Sequence, residues 1–580
     1  MKNELRKCKN CQQDFTIESE DFKFYEKIKV PPPTWCLNCR MQRRMSWRNE
    51  RSLYKRTCDL CKKNIIAIYP ADAVFPVFCK ECWYSDVWDS TSYGREYDFS
   101  RPFFEQFSEL FNSVPRMNLW QRNATNSEFA HQVAESKNVY LSVSVIMDSE
   151  NIFYSKSIDG CFNIFDSCNL KKCENCYENI ECERNYNSQH MFLSRHCIDS
   201  YFLVDCVNCT NCFMCSNLRN KQYCIQNKEY SQEEYLEKIK EYNLESRESR
   251  VKFLAEFKNL CKKAIYRFTN NIKCVNSLGN NLLNDKNCRY CFDVYNSEDT
   301  KYSYRTVNMK SCMDTDYGLS SELMYEYTTG ASNDYNVKFS YSALDNLQDA
   351  DYTHYCVSSN NLFGCCGIRN KENVILNKVY SKEEYRKLRE RIIEQMNQMP
   401  YIDKKGRIYK YGEFFPTELS PHAYNETLAQ DIYPLKKDEA IIEGYKWNEL
   451  GEKNYKITIS TSLIPDNIKA TGEEIGKEIL ECKHKMNCNH QCLKAFRILA
   501  DEFQFYKKNG IPIPDKCPNC RHYKRFAKIP PRRLWHRSCM CTKEGHSHRE
   551  RKCKVEFETS YAPDRPETVY CETCYNQEVY

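Results

Sequence analysis

Two stretches decide how this chain is read. The first is PPPTWCLNCRMQRRMSWRNERSLYKRTCDLC, Pro31 to Cys61. The second is IPIPDKCPNCRHYKRFAKIPPRRLWHRSCMC, Ile511 to Cys541, near the other end of a 580-residue chain. Their spacings agree. Cys11 to Cys36 and Cys492 to Cys517 are each 25 residues; Cys39 to Cys58 and Cys520 to Cys539 are each 19. Phe15, Phe22 and Tyr25 have counterparts in Phe496, Phe503 and Tyr506, and Arg40 in Arg521. After Cys539 the second copy carries an insert, MCTKEGHSHRERK. The register then resumes, with Cys61 to Cys79 and Cys553 to Cys571 both 18 residues. Chance does not hold several long spacings at once. The sequence therefore predicts one two-site module written twice, at 1–95 and 478–580.

The 37 cysteines explain what such a module is for. The charged start MKNELRKCKN is followed by no apolar leader core, and no apolar run approaches the roughly 20 residues of a membrane span. These features predict a cytoplasmic protein. In a reducing compartment, paired cysteines at short spacing point to metal rather than disulfides. Zinc takes four soft ligands in a tetrahedron, and each Cys-x2-Cys turn presents two. The first module offers Cys8 and Cys11 with Cys36 and Cys39, then Cys58 and Cys61 with Cys79 and Cys82. The second offers Cys488 and Cys492 with Cys517 and Cys520, then Cys539 and Cys553 with Cys571 and Cys574. Inserts in the second module add rivals: Cys482, His484, Cys541, His546 and His548. The expected content is about four zinc ions per chain.

The pattern C-x2-C-x3-F, then EDFKFY, then P-x2-C-x2-C-R resembles the zinc-ribbon (treble-clef) family. Cys8, Cys11, Phe15, Phe22, Tyr25, Pro33, Cys36, Cys39 and Arg40 carry the likeness. The second copy repeats it, but its first knuckle is Cys488-x3-Cys492. The whole chain is similar to large multi-zinc proteins of small-genome bacteria, through the closing run FETSYAPDRPETVYCETCYNQEVY. That likeness brings no activity with it.

The middle is duplicated as well. LRNKQYCIQNKEYSQEEY from Leu218 and IRNKENVILNKVYSKEEY from Ile368 match without a gap at an offset of 150 residues. Ser231 with Glu234 and Ser381 with Glu384 predict capping boxes opening two helices. Upstream lie short aromatic and β-branched pieces broken by Asn, Asp and Ser, at about the length of a solenoid coil. The fold class expected is mainly β with α: double zinc-ribbon modules at both ends flanking a duplicated, parallel β-solenoid-like region with helices. The boundaries are a helical linker at 96–137, solenoid halves at 138–230 and 271–380, bridging helices at 231–270, a helix at 381–400 and an extended strap at 401–477. Cys206, Cys209, Cys212 and Cys215 have the spacing of a cluster. Their counterparts in the other half are Cys356, Ser359, Leu362 and Cys365, which favours packing over metal.

No phosphate loop, nucleophile elbow, H-E-x2-H or dinucleotide fingerprint occurs, and no small-molecule substrate is indicated. Net charge is +6. A zinc bound by four thiolates carries about −2, so only local charge can argue for a partner. Arg40, Arg43, Arg44, Arg48 and Arg51 crowd around Trp47. Lys524, Arg525, Arg532 and Arg533 surround Trp535. Arginine forks bind phosphates and flat rings stack on bases. The sequence thus predicts a non-enzymatic zinc protein that grips nucleic acid, RNA before DNA, with its basic helices. A protein scaffold using the solenoid face is the alternative, and a zinc-dependent enzyme a distant third.

Overall fold

A computed structural model describes residues 2–330, 332–449, 451, 455–548 and 551–580. It is a mixed α/β molecule, mostly strand, with 12 helices among the described residues and two large central sheets of 14 and 11 strands.

The sheets grow from a three-residue rule. Between Asn163 and Asn187 every third residue has a positive φ: Asn163, Asp166, Asn169, Lys172, Asn175, Glu178, Glu181, Arg184 and Asn187. Such left-handed corners are unfavourable for most side chains, and Asn and Asp tolerate them best. Four corners bring the chain round to its start. Strand residues of this segment therefore pair, in parallel, with the residue twelve positions on: Phe162 with Glu174 and Cys168 with Ile180. Corner asparagines tie successive coils together. Asn175 donates to Asn187 at 2.8 Å, and in the other sheet Asn361 donates to Asn373 at 3.0 Å.

The inward positions alternate between aliphatic residues, such as Ile152, Ile158, Ile164 and Leu170, and small ones, and cysteine and serine exchange at the small ones. Cys206 Sγ donates to the carbonyls of Val204 and Cys215, and Cys215 Sγ to those of Phe213 and Cys224. Ser188 Oγ makes the same pair of bonds, to Tyr186 and Cys197. Cys206, Cys209, Cys212 and Cys215 are all buried in this column.

Each stack ends in a short antiparallel turn and a helix, Gln232–Glu241 or Lys382–Gln398, and both helices open on the expected capping box. The segment 401–449 is not laid over the surface. Its Phe414, Phe415, Tyr424, Leu428 and Ala429 are buried in the cores that join the N-terminal region to the second stack.

The ends dock crosswise. The N-terminal region packs on the second stack, with Tyr25 edge-on to Tyr325 at 5.6 Å. The C-terminal region packs on the first, with Phe505 stacked on Phe165 at 3.9 Å. The two end regions also touch: Arg51 Nη2 donates to Asn519 Oδ1 at 2.9 Å.

Candidate metal centres and the arginine clamps

Four cysteine quartets, two at each end, are built by one local plan. A two-stranded antiparallel hairpin carries the first pair of thiols. The strands are Glu4–Lys7 with Asp14–Ile17, Tyr54–Thr57 with Asn64–Ala67, Leu480–Glu481 with Ala495–Phe496, and Trp535–Ser538 with Glu556–Thr559. A helix start carries the second pair. Cys36, Cys79, Cys517 and Cys571 stand at the N-cap positions of Leu37–Met45, Lys80–Tyr84, Pro518–Phe526 and Glu572–Val579. The positive end of a helix dipole favours thiolate there.

The groups are Cys8, Cys11, Cys36 and Cys39; Cys58, Cys61, Cys79 and Cys82; Cys482, Cys492, Cys517 and Cys520; and Cys539, Cys553, Cys571 and Cys574, the sulfurs of each lying within 4.8 Å of one another. Cys11 and Cys36 are 3.8 Å apart, Cys61 and Cys79 3.8 Å, Cys482 and Cys520 3.9 Å, and Cys553 and Cys571 4.0 Å. A disulfide needs about 2.05 Å. A tetrahedron with metal–sulfur bonds of about 2.3 Å has edges near 3.8 Å. The geometry is that of a metal cage. The amide of Lys63 and the neighbouring thiols lower Cys61 to about 7, toward the thiolate that binds metal.

One ligand differs from the sequence expectation. Cys482, not Cys488, completes the third quartet. A main-chain signature identifies it. In every quartet the amide of the third cysteine donates to the sulfur of the first: Cys36 to Cys8 at 3.2 Å, Cys79 to Cys58 at 3.3 Å, Cys517 to Cys482 at 3.3 Å, and Cys571 to Cys539 at 3.2 Å. Cys488 falls instead in a further group with His484, His490 and Cys520. Of the other rivals, Cys541 Sγ lies 3.2 Å from His546 Nδ1 and 3.4 Å from His548 Nε2.

The basic helices do not hold out their arginines, contrary to expectation. Arg43 and Arg44 are 0 % exposed, and Arg40, Arg48, Arg521, Arg525 and Arg532 are buried with them. Carboxylates of the stacks engage them. Arg40 Nη2 lies 2.9 Å from Asp314, Arg43 Nη2 2.9 Å from Glu326, and Arg44 Nε 2.7 Å from Asp316. At the other end Arg521 and Arg525 each place Nη1 2.6 Å from an oxygen of Asp166, and Arg525 also reaches Glu178. Arg532 pairs with Asp293 at 2.9 Å. Trp47 is enclosed by Phe111, Tyr341, Phe414 and Phe415. Of the eleven residues named for nucleic acid, Lys524 and Arg533 remain exposed, with Arg51 and Trp535 half-buried.

No protein-family model, curated protein or solved structure matches this chain. The likeness of the ends to zinc ribbons is carried by the ligand groups alone.

The two clamps are the same contact made twice. Arg44 and Arg525 stand 481 positions apart, as Cys36 and Cys517 do, and each places Nη1 on a left-handed corner aspartate and on the glutamate twelve residues further: Asp314 and Glu326 for Arg44, Asp166 and Glu178 for Arg525. Both pairs sit in low dielectric. Burial pushes the Asp316 carboxyl up, to about 6, against the pull of Arg44, and raises Asp166 against Arg521 and Arg525. Between the clamps, Lys156 of the first stack meets Glu50 at 2.5 Å and Asp431 at 3.3 Å. Burial would raise Glu50, but Lys156 and Arg48 outweigh it and hold the carboxyl down at about 2. The buried arginines of these groups are engaged by carboxylates rather than turned to solvent. No helix among the described residues is long and apolar enough to cross a membrane.

Proposed function

We propose that this protein is a zinc-dependent, non-catalytic scaffold in which duplicated treble-clef modules brace a duplicated β-solenoid. Zinc suits the cages because each offers four cysteine sulfurs within 4.8 Å of one another, with an edge of 3.8 to 4.0 Å in each, as closed structural zinc sites do. The free state of the cysteines fits a reducing, cytoplasmic setting. The observation that carries the reading is the paired clamp, Arg44 on Asp314 and Arg525 on Asp166. Arginines that a nucleic-acid grip would present are instead engaged inside the molecule. The zinc modules then act as internal braces, and the asparagine-laddered outer faces of the solenoid are left as the surface for a protein partner.

A second reading keeps some support. Arg533 lies over the Trp535 ring at 5.4 Å, and Lys524 is exposed nearby in the chain. That pair of cations and a ring could contact RNA. The experiment is purification of the full-length protein with absorbance at 260 and 280 nm before and after high salt. A scaffold is expected to elute free of nucleic acid at low salt. RNA that co-purifies and is lost in K524A/R533A would overturn the proposal in favour of the second reading.

A further inference from the structure

The two modules differ where the third quartet begins. Two residues separate Cys8 from Cys11 and Cys58 from Cys61, whereas nine separate Cys482 from Cys492. The seven extra residues fall inside the knuckle, between two ligands. They bring in His484, Cys488 and His490.

We infer that this insert builds a second metal position fused to the quartet, giving a two-zinc cluster in which the Cys520 thiolate bridges. It extends the metal reading above to a site that no all-cysteine quartet contains. Four observations carry it. His484, Cys488, His490 and Cys520 each offer one ligand atom, all within 4.8 Å of one another. Cys488 Sγ is 3.8 Å from Cys520 Sγ, the same edge length as in the quartets. Cys520 already belongs to the quartet, 3.9 Å from Cys482, at the helix position that Cys39 holds in the first module. Last, Nδ1 of His484 and Nδ1 of His490 are buried with no hydrogen-bond partner. A buried imidazole nitrogen without a partner is costly, and a metal satisfies it.

The surroundings hold the site in shape. His490 stacks on Tyr523 of the knuckle helix at 5.6 Å and 12°, which fixes its plane, and the His484 ring lies 5.4 Å from it. The Tyr523 hydroxyl in turn accepts from Nε2 of Gln491, the residue before Cys492, at 3.0 Å. Charge also favours the arrangement. One four-thiolate zinc carries about −2; a second dication with one further thiolate and two neutral imidazoles brings the cluster to about −1. The other insert of this module has the same composition, one cysteine and two histidines, in Cys541, His546 and His548. Neither insert exists in the N-terminal copy.

The test counts zinc in the full-length protein by inductively coupled plasma mass spectrometry. H484Q/H490Q and C488S are each expected to lose about one zinc per chain relative to wild type, and C520S about two, with the thermal transition of the stacks retained. Deleting 483–489 restores the two-residue spacing and is also expected to remove one. Cadmium-113 substitution should give two scalar-coupled signals, of which one disappears and the other loses its splitting in H484Q/H490Q. Unchanged zinc content in H484Q/H490Q and in the deletion would overturn the inference, as would C520S losing only one equivalent. A wild-type protein with no zinc at all would instead defeat the metal reading as a whole.

Discussion

The N-terminal and C-terminal modules share their cages and their clamps and differ in their inserts. Both hang a hairpin and a helix on four sulfurs, and both send an arginine from that helix into a corner aspartate of a stack, Asp314 or Asp166. The N-terminal knuckles are tight; the C-terminal ones are opened by extra residues rich in His and Cys. The shared part is therefore mechanical and the varied part chemical. A region that only braces needs one geometry, whereas a region that also gathers metal tolerates growth at the knuckle tip.

The strongest way to break this comparison is to take the metal away. Structural zinc binding of about 10–16 kcal/mol is folding energy for such small units. A tight chelator is expected to unfold both ends together, expose Arg40 to Arg48 to trypsin, and leave strand signal from the stacks. Ends that stay protease-resistant without metal would remove the basis of the account.

Next come the clamps. R44A and R525A each strand a buried carboxylate, at a cost of about 3–5 kcal/mol. Urea midpoints should fall by similar amounts in the two variants if the contacts are equivalent, and unequal losses would separate the modules. D314A and D166A should behave alike for the same reason, since each carboxylate is shared by two arginines of the knuckle helix. Replacing both partners, as in R44M/D316L, is expected to recover much of the loss, because the cost lies in the unpaired charge.

The junction between the modules gives a pH handle. Glu50 is held down at about 2, so its contribution is present above its unfolded value near 4.5 and fades as pH falls through 2. E50Q should therefore weaken the protein by roughly 3 kcal/mol at pH 7 and by much less near pH 2.5. A gap between the two chains that does not narrow in acid would show that Glu50 acts by shape alone. The smallest effect belongs to the exposed cations. K524A and R533A should shift stability by no more than about 0.5 kcal/mol.

Much of this was legible beforehand, and the failures are instructive. The N-terminal quartets follow from Cys-x2-Cys spacing, because the knuckle geometry is local. Cys482 was obscured because seven inserted residues moved it away from Cys492, and Cys488 stood nearer. A clue lay in Leu480 to Cys482 preceding the insert as a strand should. The arginines misled for a different reason. The stack aspartates that Arg40, Arg44, Arg521 and Arg525 meet lie 270 to 359 residues away in sequence, so no local window shows Arg44 and Asp314 together. The acidic run MDTDYG, Met313 to Gly318, held the missing half: Asp314 and Asp316 end a strand whose last five residues, Cys312 to Asp316, are all buried. The coils were legible in outline through their short pieces. Their true period of three, with Asn or Asp at the left-handed corners, was masked because Glu, Lys, Arg and His occupy the same corners elsewhere.

The crosswise docking has a consequence for synthesis. The helix bearing Arg44 leaves the ribosome 270 residues before Asp314 exists. At about 5–20 residues per second, that is a delay on the order of ten to sixty seconds. During translation the first module, folded around its ions, must wait with its guanidinium groups bare. The finished molecule can close only when the far half of the chain arrives.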